Sequence, residues 1–390
     1  MNELSDSTLR FIREHLSCDT RRLALSAAKY PDVDMPAAVT QIAARQTAAK
    51  KIPSWAAVGG ILYPGHLSME QCSSEAAARY KASLVSGGSF VDLTGGLGVD
   101  FSFIARRFRE ADYVERQEGL CELAAHNLPL LGLGDARVHN ASAEEFLNVM
   151  PPADCIYLDP SRRDCHGGRT VRIAGCEPDI NRLEPQLLDK GRRVMVKLSP
   201  MLDIAATLRE LHCVSEVHIV SSGNECKELL LILEADWPQE ATVWCVSVPD
   251  GEVFSFTLTE EKNAPEGLAG GLQGYLYEPD AALMKAGCFK LLAQRTGTGM
   301  LSANSHLYTS DTLVTFPGRR FAIEGVSGFG KRELRSFLSG VERANIAVRN
   351  FPSSADELRK RLKLRDGGDV FLFATTLSGG DKVLIKAVKN

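Results

Sequence analysis

The chain has 390 residues, of which 44% are hydrophobic, 24% charged and 7% aromatic. At roughly 100–200 residues per domain, this length predicts two to four domains and excludes a peptide or a fibre. The composition is typical of globular proteins rather than of disordered chains. No apolar run approaches the roughly 18 residues of a membrane helix, and the polar, acidic start does not resemble a signal peptide. We therefore expect a cytoplasmic protein without a membrane partner.

The ten cysteines are scattered along the chain, and no two of them form a CxxC pair. A zinc ribbon or a thioredoxin-like redox centre needs such pairs at fixed spacing. Cys165 and His166 are adjacent, but they have no partners at the spacing of a metal site. We therefore expect reduced structural thiols and no bound metal.

The charge is distributed unevenly. The chain has a net charge of −4, yet residues 318–390 contain 15 Lys and Arg against 8 Asp and Glu, a local net charge of +7. A basic C-terminal domain on an acidic body suggests an anionic partner, although a solvated helix face would carry the same charges. The suspected phosphate contacts are Arg319, Arg320, Lys331, Arg332, Arg335, Arg359, Lys360, Arg361, Lys363 and Arg365.

Residues 1–80 contain helical patterns interrupted by prolines, which predict a helical N-terminal region. Over residues 81–236, short apolar runs alternate with helical stretches, which predicts a parallel sheet covered by helices. The helix after the first of these strands is expected over residues 99–109. The last two strands are separated only by SGNECK, residues 222–227, so they should form an antiparallel hairpin at the edge of the sheet.

A change of pattern near residue 236 predicts a domain boundary. Residues 237–317 begin with two strands around a Pro-Asp-Gly turn and continue as a small α+β unit, whose single helix is expected over residues 277–295. Residues 318–390 alternate strands and helices again. They should form a second small α+β domain.

The strongest motif is FVDLTGGLGVD, residues 90–100, in which an apolar strand runs into a glycine turn and then a helix. Glycines permit a close backbone approach to a ligand, and free N–H groups at a helix start favour a carboxylate or phosphate. The dinucleotide fingerprint GxGxxG is absent, which disfavours NAD. An acid before the turn favours a ligand with an amino group as well as a carboxylate. The residues expected to hold that ligand here are Asp92, Gly95, Gly96 and Gly98.

Three further positions favour S-adenosylmethionine as the ligand. Glu115 ends the second strand, about 20 residues after the glycine turn, where a carboxylate can accept both ribose hydroxyls. Ser142 and Ala143 follow the third strand and are placed to contact the adenine edge. Asp159 ends the fourth strand, at the edge where ligands bind to open α/β sheets. Each position alone could be a helix cap or a solvated strand end, but four in order favour a cofactor site.

The segments VDLTGGLGVD and LDPSRR resemble the first and fourth motifs of class I, Rossmann-like S-adenosylmethionine-dependent methyltransferases. The whole chain is similar to a bacterial family in which that domain precedes a small ferredoxin-like domain and a THUMP-like domain. The resemblance implies an α/β fold with a Rossmann-like sheet, a ferredoxin-like unit within 237–317 and a THUMP-like domain at 318–390. Because THUMP domains belong to RNA-modifying enzymes, it also implies an RNA substrate, tRNA or rRNA. Ser142 departs from the Asp usual at the adenine contact.

The fourth motif suggests the acceptor chemistry. Asp159 and the carbonyl of Pro160 are the candidate catalytic groups, because they could hydrogen-bond an amine in line with the methyl group. We therefore predict transfer to a base nitrogen. In related base amino-methyltransferases an aromatic residue follows to stack the base, whereas this chain has Ser161 and Arg162. Four basic residues are expected to bind the substrate: Arg162, Arg163, Arg169 and Lys197. The three arginines are suited to phosphate oxygens, which guanidinium groups bind in pairs.

Two other interpretations remain open. A Lys-Asp-Lys-Glu tetrad is typical of ribose 2′-O-methyltransferases, in which a lysine of lowered pKa deprotonates a hydroxyl. The positions that resemble it are Lys81, Asp159, Lys197 and either Glu225 or Glu228. A catalytically idle RNA-binding protein with the same fold is the second alternative. Residues 70–75, EQCSSE, are expected to cap the helix that begins there, or else to reach over the cofactor.

Overall fold

The computed structural model describes residues 4–64, 66–162, 173–249 and 251–390. The chain forms two compact units. Unit 1 comprises Met1–Val217 and Glu228–Gln239, and unit 2 comprises His218–Lys227 and Glu240–Asn390. Among the described residues, no helix combines the length and the apolar character needed to cross a membrane.

Unit 1 begins with a helical region, as the sequence predicts. Ser or Asp side chains accept backbone N–H groups at the starts of several of these helices, which fixes where the helices begin. The region joins the rest of the unit through Trp55, which is 2% exposed and whose Nε1 donates to Ser102 Oγ at 3.0 Å. Its helices are α1 (Asp6–Glu14), α2 (Thr20–Leu25), α3 (Met35–Lys51), α4 (Pro53–Ala56), α5 (His66–Gln71) and α6 (Glu75–Ser83).

The remainder of unit 1 alternates strands and helices. Its strands are β1 (Gly87–Asp92), β2 (Phe108–Glu115), β3 (Arg137–Asn140), β4 (Ala153–Leu158), β5 (Ser161–Arg162), β6 (Cys176–Glu177), β7 (Gly191–Leu198), β8 (Val214–Ser222) and β9 (Glu225–Leu233), the outer ends of β8 and β9 belonging to unit 2. Its helices are α7 (Val99–Ile104), α8 (Glu118–Leu130), α9 (Ala143–Val149), α10 (Ile180–Lys190) and α11 (Ile204–Glu210).

The main sheet has the order β3-β2-β1-β4-β7-β9-β8. Its first five strands are parallel, with Val91 of β1 opposite Asp112 of β2 and Ile156 of β4. Strand β9 runs antiparallel to β7. Because parallel strands need crossover helices, both faces of the sheet are covered and its strands are buried and apolar. The chain order reverses between β1 and β4, so their carboxyl ends open a crevice suited to a ligand.

The helix after β1 is shorter than the sequence predicts. It was expected over residues 99–109, but α7 ends at Ile104 and a 3₁₀ turn continues to Arg107. Strand β2 already begins at Phe108, because the Phe108 ring packs against Phe90 with ring centroids 5.3 Å apart. Packing of this half-buried ring against the core therefore extends the strand into the predicted helix.

The predicted hairpin is formed by β8 and β9, and a further strand lies beside its outer end. Within unit 2, the carbonyl of Ser221 accepts the N–H of Val248 at 2.9 Å, and Ser221 Oγ donates to the carbonyl of Val246 at 3.3 Å. The outer end of β8 is thus covered rather than exposed as a sheet edge.

Unit 2 continues with two strands and a mixed α+β region. Its strands are β10 (Thr242–Ser247), β11 (Glu252–Phe256), β12 (Tyr275–Pro279), β13 (Gly299–Met300), β14 (Tyr308–Ser310), β15 (Gly318–Ser327), β16 (Asn345–Val348), β17 (Val370–Thr376) and β18 (Lys382–Lys389). Its helices are α12 (Leu258–Asn263), α13 (Ala281–Ala286), α14 (Phe289–Thr296), α15 (Lys331–Phe337) and α16 (Ala355–Leu362).

One seven-stranded sheet, ordered β13-β14-β12-β15-β18-β17-β16, spans the C-terminal region. Helices α15 and α16 lie on the same face of this sheet, because Leu334 and Leu358 pack into one cluster with Leu372. The single helix expected over residues 277–295 is two helices instead. Gly287 has φ +75°, a left-handed conformation that ends α13 before α14 begins.

A buried carboxylate joins the two halves of this sheet. Glu278 of β12 is 1% exposed, and its two oxygens accept from Arg319 Nε and Arg349 Nη2, each at 2.8 Å. A buried carboxylate needs such charged donors to offset its desolvation. Arg319 is therefore part of the fold and is a poor candidate for a phosphate contact.

Candidate cofactor and acceptor site

The turn after β1 is shaped by Tyr113 of the neighbouring strand. A Cβ atom at Gly95 would lie 2.2 Å from the Tyr113 ring, so only glycine fits. The N–H of Gly95 donates to the carbonyl of Val114 at 2.8 Å, and Tyr113 Oη donates to the carbonyl of Gly96. Gly96 and Gly98 have φ values of +54° and +83°, which other residues rarely adopt. The glycine pattern is thus a requirement of the turn itself.

Glu115 at the end of β2 fixes the far side of this turn. Its Oε2 accepts the N–H of Gly96 at 3.0 Å, and its Oε1 accepts the N–H of Gln117 at 2.8 Å. The residue is 7% exposed and borders the cavity described below. Each carboxylate oxygen keeps a lone pair for a second donor. Glu115 can therefore accept a pair of neighbouring hydroxyls.

Asp92 lies beneath the turn, at the end of β1. Its side chain is 1% exposed, and its Oδ1 accepts the N–H of Thr94 at 3.0 Å. Burial raises the pKa of Asp92 well above its usual value; the Thr94 hydrogen bond opposes this rise, whereas the charges of Asp100, Asp159 and Glu115 add to it. A cation arriving near this carboxyl group would therefore favour its ionisation.

A cavity of about 320 Å³ opens at the carboxyl ends of β1, β2 and β4. Its charged wall is mainly acidic, and Arg116 is itself paired with Glu177 at 2.8 Å. The charged lining residues are Glu115, Arg116, Glu144, Asp159 and Glu177, and the uncharged ones are Gln71, Cys72, Leu93, Thr94, Gly96, Leu97, Gln117, Leu120, Ser142, Ala143, Ser161 and Pro178. Among the predicted cofactor residues, Asp92, Gly95 and Gly98 do not line this cavity, but each is next in sequence to a residue that does.

Ser142 and Ala143 lie at the start of α9 and border the same cavity. The N–H and hydroxyl of Ser142 both donate to Glu145 Oε2, at 3.0 and 2.9 Å, and its Oγ accepts the N–H of Glu145. This capping box engages the polar groups of Ser142. The N–H of Ala143, at the first helical position, has no partner within the helix and is the better donor for a ligand.

Asp159 and Lys197 meet at the rim of the cavity. Lys197 Nζ lies 2.5 Å from Asp159 Oδ2, and the N–H of Asp159 donates to Thr94 Oγ1 at 2.6 Å. The Asp159 side chain is 40% exposed and the Lys197 side chain 13%. Pro160 is buried directly after Asp159. One carboxylate oxygen is thus held by an ammonium group, while the other can meet a ligand.

Neighbouring carboxylates stabilise the positive charge of Lys197. Burial lowers its pKa, but the charges of Asp159, Asp100 and Glu228 outweigh burial and raise the pKa above its ordinary value. Lys197 therefore remains an ammonium group near neutral pH and serves as a fixed donor.

The predicted arginine cluster lies largely beyond what the structure describes. Arg163 and Arg169 fall outside the described residues, and Arg162 is described only by its backbone in β5. Neighbouring Ser161 does border the cavity. The phosphate-binding role of these arginines remains a prediction.

Sequence reasoning missed Asp100. This aspartate is 9% exposed and contacts both Lys81 and Lys197, whose Nζ atoms lie 3.0 and 3.9 Å from its oxygens. Every residue of α7 is buried, so a carboxylate in this short helix needs charged partners. The sequence signal was an acid within the otherwise uncharged segment VDFSFI, directly after the glycine turn.

Cysteine and histidine side chains are the usual candidates for metal ligands. Within the described ranges, no group of three His, Cys, Asp or Glu side chains has the arrangement to hold a metal ion. The nine cysteines in those ranges are free thiols.

Three features define the class of protein: the sheet order, the glycine turn and the acidic residue that ends β2. The class is a Rossmann-like methyltransferase domain followed by small α+β domains. Residues 275–317 match the model of a ferredoxin-like domain, and residues 318–388 match that of a THUMP-like domain. These matches agree with the resemblance seen in the sequence.

Similarity to known proteins identifies the family of the chain. It is 34% identical to a Porphyromonas gingivalis W83 protein described as a "putative methyltransferase", whose crystal structure superposes with a TM-score of 0.87 over 98% of this chain and 97% of that one. It is 24% identical over 323 residues to uncharacterised S-adenosylmethionine-dependent methyltransferases from two Mycobacterium tuberculosis strains, covering 80% of this chain and 84% of each relative. The chain belongs to this family of S-adenosylmethionine-dependent methyltransferases with a C-terminal THUMP-like domain.

The contact between Gly95 and Tyr113 generates a stability prediction. Gly95→Ala forces a methyl group into the Tyr113 ring and should cost about 1–3 kcal/mol, as overpacking does. Gly119 in α8 is the matched control, because a Cβ there meets no atom within 4 Å. Gly119→Ala should leave the melting temperature unchanged or raise it slightly. Thermal unfolding measures both; equal melting temperatures for the two variants would contradict the steric requirement.

Proposed function

We propose that the protein transfers a methyl group from S-adenosylmethionine to a base nitrogen of a structured RNA, tRNA or rRNA. S-adenosylmethionine supplies an electrophilic methyl group on a sulfonium. The observation that carries the proposal is the Asp159 carboxylate, which Lys197 holds at 2.5 Å on the rim of an acidic cavity.

The acidic wall supports S-adenosylmethionine over a dinucleotide. The cofactor carries two positive charges, on the sulfonium and the amino group, whereas the pyrophosphate of NAD is an anion and would meet like charges here. Glu115 would accept the ribose hydroxyls, and the N–H of Ala143 would contact the adenine beside Ser142. The amino group would lie over the turn at Gly96. There its positive charge would stabilise the ionised form of Asp92, whose pKa burial raises.

The acceptor would be oriented by Asp159 and the carbonyl of Pro160. An amine that donates one hydrogen bond to Asp159 turns its lone pair toward the methyl carbon. As the nitrogen–carbon bond forms, the carbon–sulfur bond breaks, and the nitrogen loses a proton to the carboxylate and then to water. Lys197 keeps the carboxylate in place throughout.

The contacts around Lys81 weaken the ribose alternative. Lys81 is 0% exposed, its Nζ lies 2.8 Å from both oxygens of Glu228, and it cannot reach a substrate. Glu225, the other candidate for the tetrad, pairs with Lys227 instead. A hydroxyl acceptor would need a lysine of lowered pKa, whereas the pKa of Lys197 is raised. These features favour a nitrogen acceptor.

The C-terminal domain supports an RNA substrate once its paired charges are set aside. Arg359 bonds Asp356 and Asp366, at 2.6 and 2.7 Å, and Arg365 bonds Glu342 at 2.6 Å. The suspected contacts that are exposed and have no ion pair among the described residues are Arg320, Lys331, Arg332, Arg335, Lys360, Arg361 and Lys363. Most of them lie on α15 and α16, on one face of the sheet, where they can follow a phosphate backbone.

Cofactor binding should be linked to the ionisation of Asp92. Because its pKa is raised, S-adenosylmethionine should bind with release of a proton, and affinity should increase with pH across that titration. Asp92→Asn should remove this linkage and weaken binding by about 1.5–3 kcal/mol. Isothermal titration in buffers of different ionisation heat measures both effects. Asp154→Asn, at the amino end of β4, is the control that should bind normally; heat with NAD but none with S-adenosylmethionine would contradict the assignment.

The acceptor assignment predicts the effect of changing Asp159. Asp159→Ala should lower methyl transfer to RNA by about 10²-fold or more while largely retaining S-adenosylmethionine binding. Tritiated methyl transfer to RNA from a deletion strain measures the rate, and nucleoside mass spectrometry identifies the product. A parental rate in the variant, or a 2′-O-methylated product, would refute the assignment, and an idle protein would give no counts at all.

The paired and unpaired basic residues should differ in RNA binding. Neutralising Lys331 and Arg332 together should make the log–log salt dependence of RNA affinity shallower by about 1.4–1.8 units. Neutralising Arg359 and Arg365 removes the same charge but breaks existing ion pairs, so the slope should change less. Point variants are preferable to truncation, since β12 pairs with β15 in one sheet. Identical slopes for both double variants would contradict the selection of contacts.

A further inference from the structure

A buried cluster of ionisable side chains lies beside the acceptor site. We propose that its central carboxylate, Asp100, is a positioning residue for methyl transfer: it holds Lys197, and through Lys197 the catalytic carboxylate of Asp159, while it anchors the segment that borders the cofactor cavity. The proposal rests on the methyl transfer proposed above and goes beyond it, because it assigns a role to a residue that does not border the cavity.

Asp100 is contacted from four sides. Its Oδ2 accepts from Ser73 Oγ at 2.7 Å and from Tyr157 Oη at 2.8 Å, and it lies 3.9 Å from Lys197 Nζ. Its Oδ1 lies 3.0 Å from Lys81 Nζ. Two hydrogen bonds and two ammonium groups thus fix a carboxylate that is almost fully buried, and such an arrangement has little freedom to move.

Lys81 holds the opposite side of the cluster. Its Nζ reaches both oxygens of Glu228 at 2.8 Å and Ser73 Oγ at 2.9 Å. With Asp159 and Lys197 included, the cluster contains three carboxylates and two ammonium groups. One negative charge is therefore in excess in this cluster, and the excess suits a cationic cofactor.

Ser73 connects the cluster to a segment that borders the cavity. It follows Gln71 and Cys72, which line the cavity, and it both donates to Asp100 and accepts from Lys81. The segment is held from its other end by Lys51, whose Nζ donates to the carbonyls of Met69 and Glu70 at 3.0 and 2.5 Å. The segment is thus anchored to the carboxylate that also contacts Lys197.

The charge of Asp100 matters as well as its shape. Without that charge, Lys197 would keep fewer carboxylates around it, and its ammonium form would be less favoured. The ammonium group would then lose one of the charges that hold it beside Asp159. The ionisable groups that face Lys197 are Asp159, Asp100, Glu228 and Cys72, with Tyr157 and Lys81 reaching it through Asp100.

The test compares Asp100→Asn with two variants that keep the charge, Ser73→Ala and Tyr157→Phe. Asp100→Asn should lower kcat by about 10- to 100-fold, because small misplacements are costly. S-adenosylmethionine affinity should change by less than about threefold, because the Asn side chain keeps an oxygen that can accept from Ser73. Ser73→Ala and Tyr157→Phe keep the charge of Asp100 and should lower kcat less. Equal losses in all three variants would overturn the proposal.

A second measurement separates this inference from the proposed function. Side-chain NMR of labelled lysine at neutral pH follows the Lys197 ammonium group, whose signal is identified by its absence from Lys197→Arg. The signal should change position in Asp100→Asn relative to the parental protein, and an unchanged position would overturn the role of Asp100. If the parental protein transferred no methyl group to RNA, the proposed function would fail, yet this comparison would still decide the contact. Should Asp100→Asn not fold, an unaltered kcat in Tyr157→Phe would count against the proposal.

Discussion

The site depends on the close approach of the backbone at Gly95 to the ring of Tyr113. Because no side chain fits there, β1 ends in a turn that lies directly against β2. That turn presents the N–H of Gly96 to Glu115 and leaves Asp92 enclosed beneath it. The ends of two strands are thereby locked into one wall of the cavity. The side of the cavity that carries Asp159 is tied to the same turn, since Thr94 Oγ1 accepts the N–H of Asp159.

Local pattern was sufficient to predict much of this arrangement. The alternation of strands and helices indicated the sheet, and strand ends pointed to Glu115 and Asp159, which both border the cavity. Contacts between distant residues were harder to predict. Lys81 of α6 and Glu228 of β9 are 147 positions apart; their resemblance to part of a methyltransferase tetrad suggested that they meet, whereas nothing in the local pattern did. Asp100 was missed for the same reason, because its partners come from α6, β4 and β7.

Charge counts along the chain show a different limit. The +7 of residues 318–390 is a property of composition, whereas binding depends on which charges lack a partner. Glu278 lies outside that range but bonds two of its arginines, so part of the positive charge stabilises the sheet. A sequence cannot separate the two groups, because ion pairs such as Arg365 with Glu342 form between elements that only the fold makes neighbours.

The carboxylates around the glycine turn show how the site balances stability and function. Asp92, Asp100, Asp159 and Glu115 lie near one another, and burial together with mutual repulsion raises the pKa of Asp92. Such a group costs free energy in the absence of a cation. Lys81 compensates Asp100 and Lys197 compensates Asp159, and the remaining negative charge is left for the ligand. A cationic cofactor would therefore stabilise the ionised form of Asp92, which links affinity for that cofactor to the burial of Asp92.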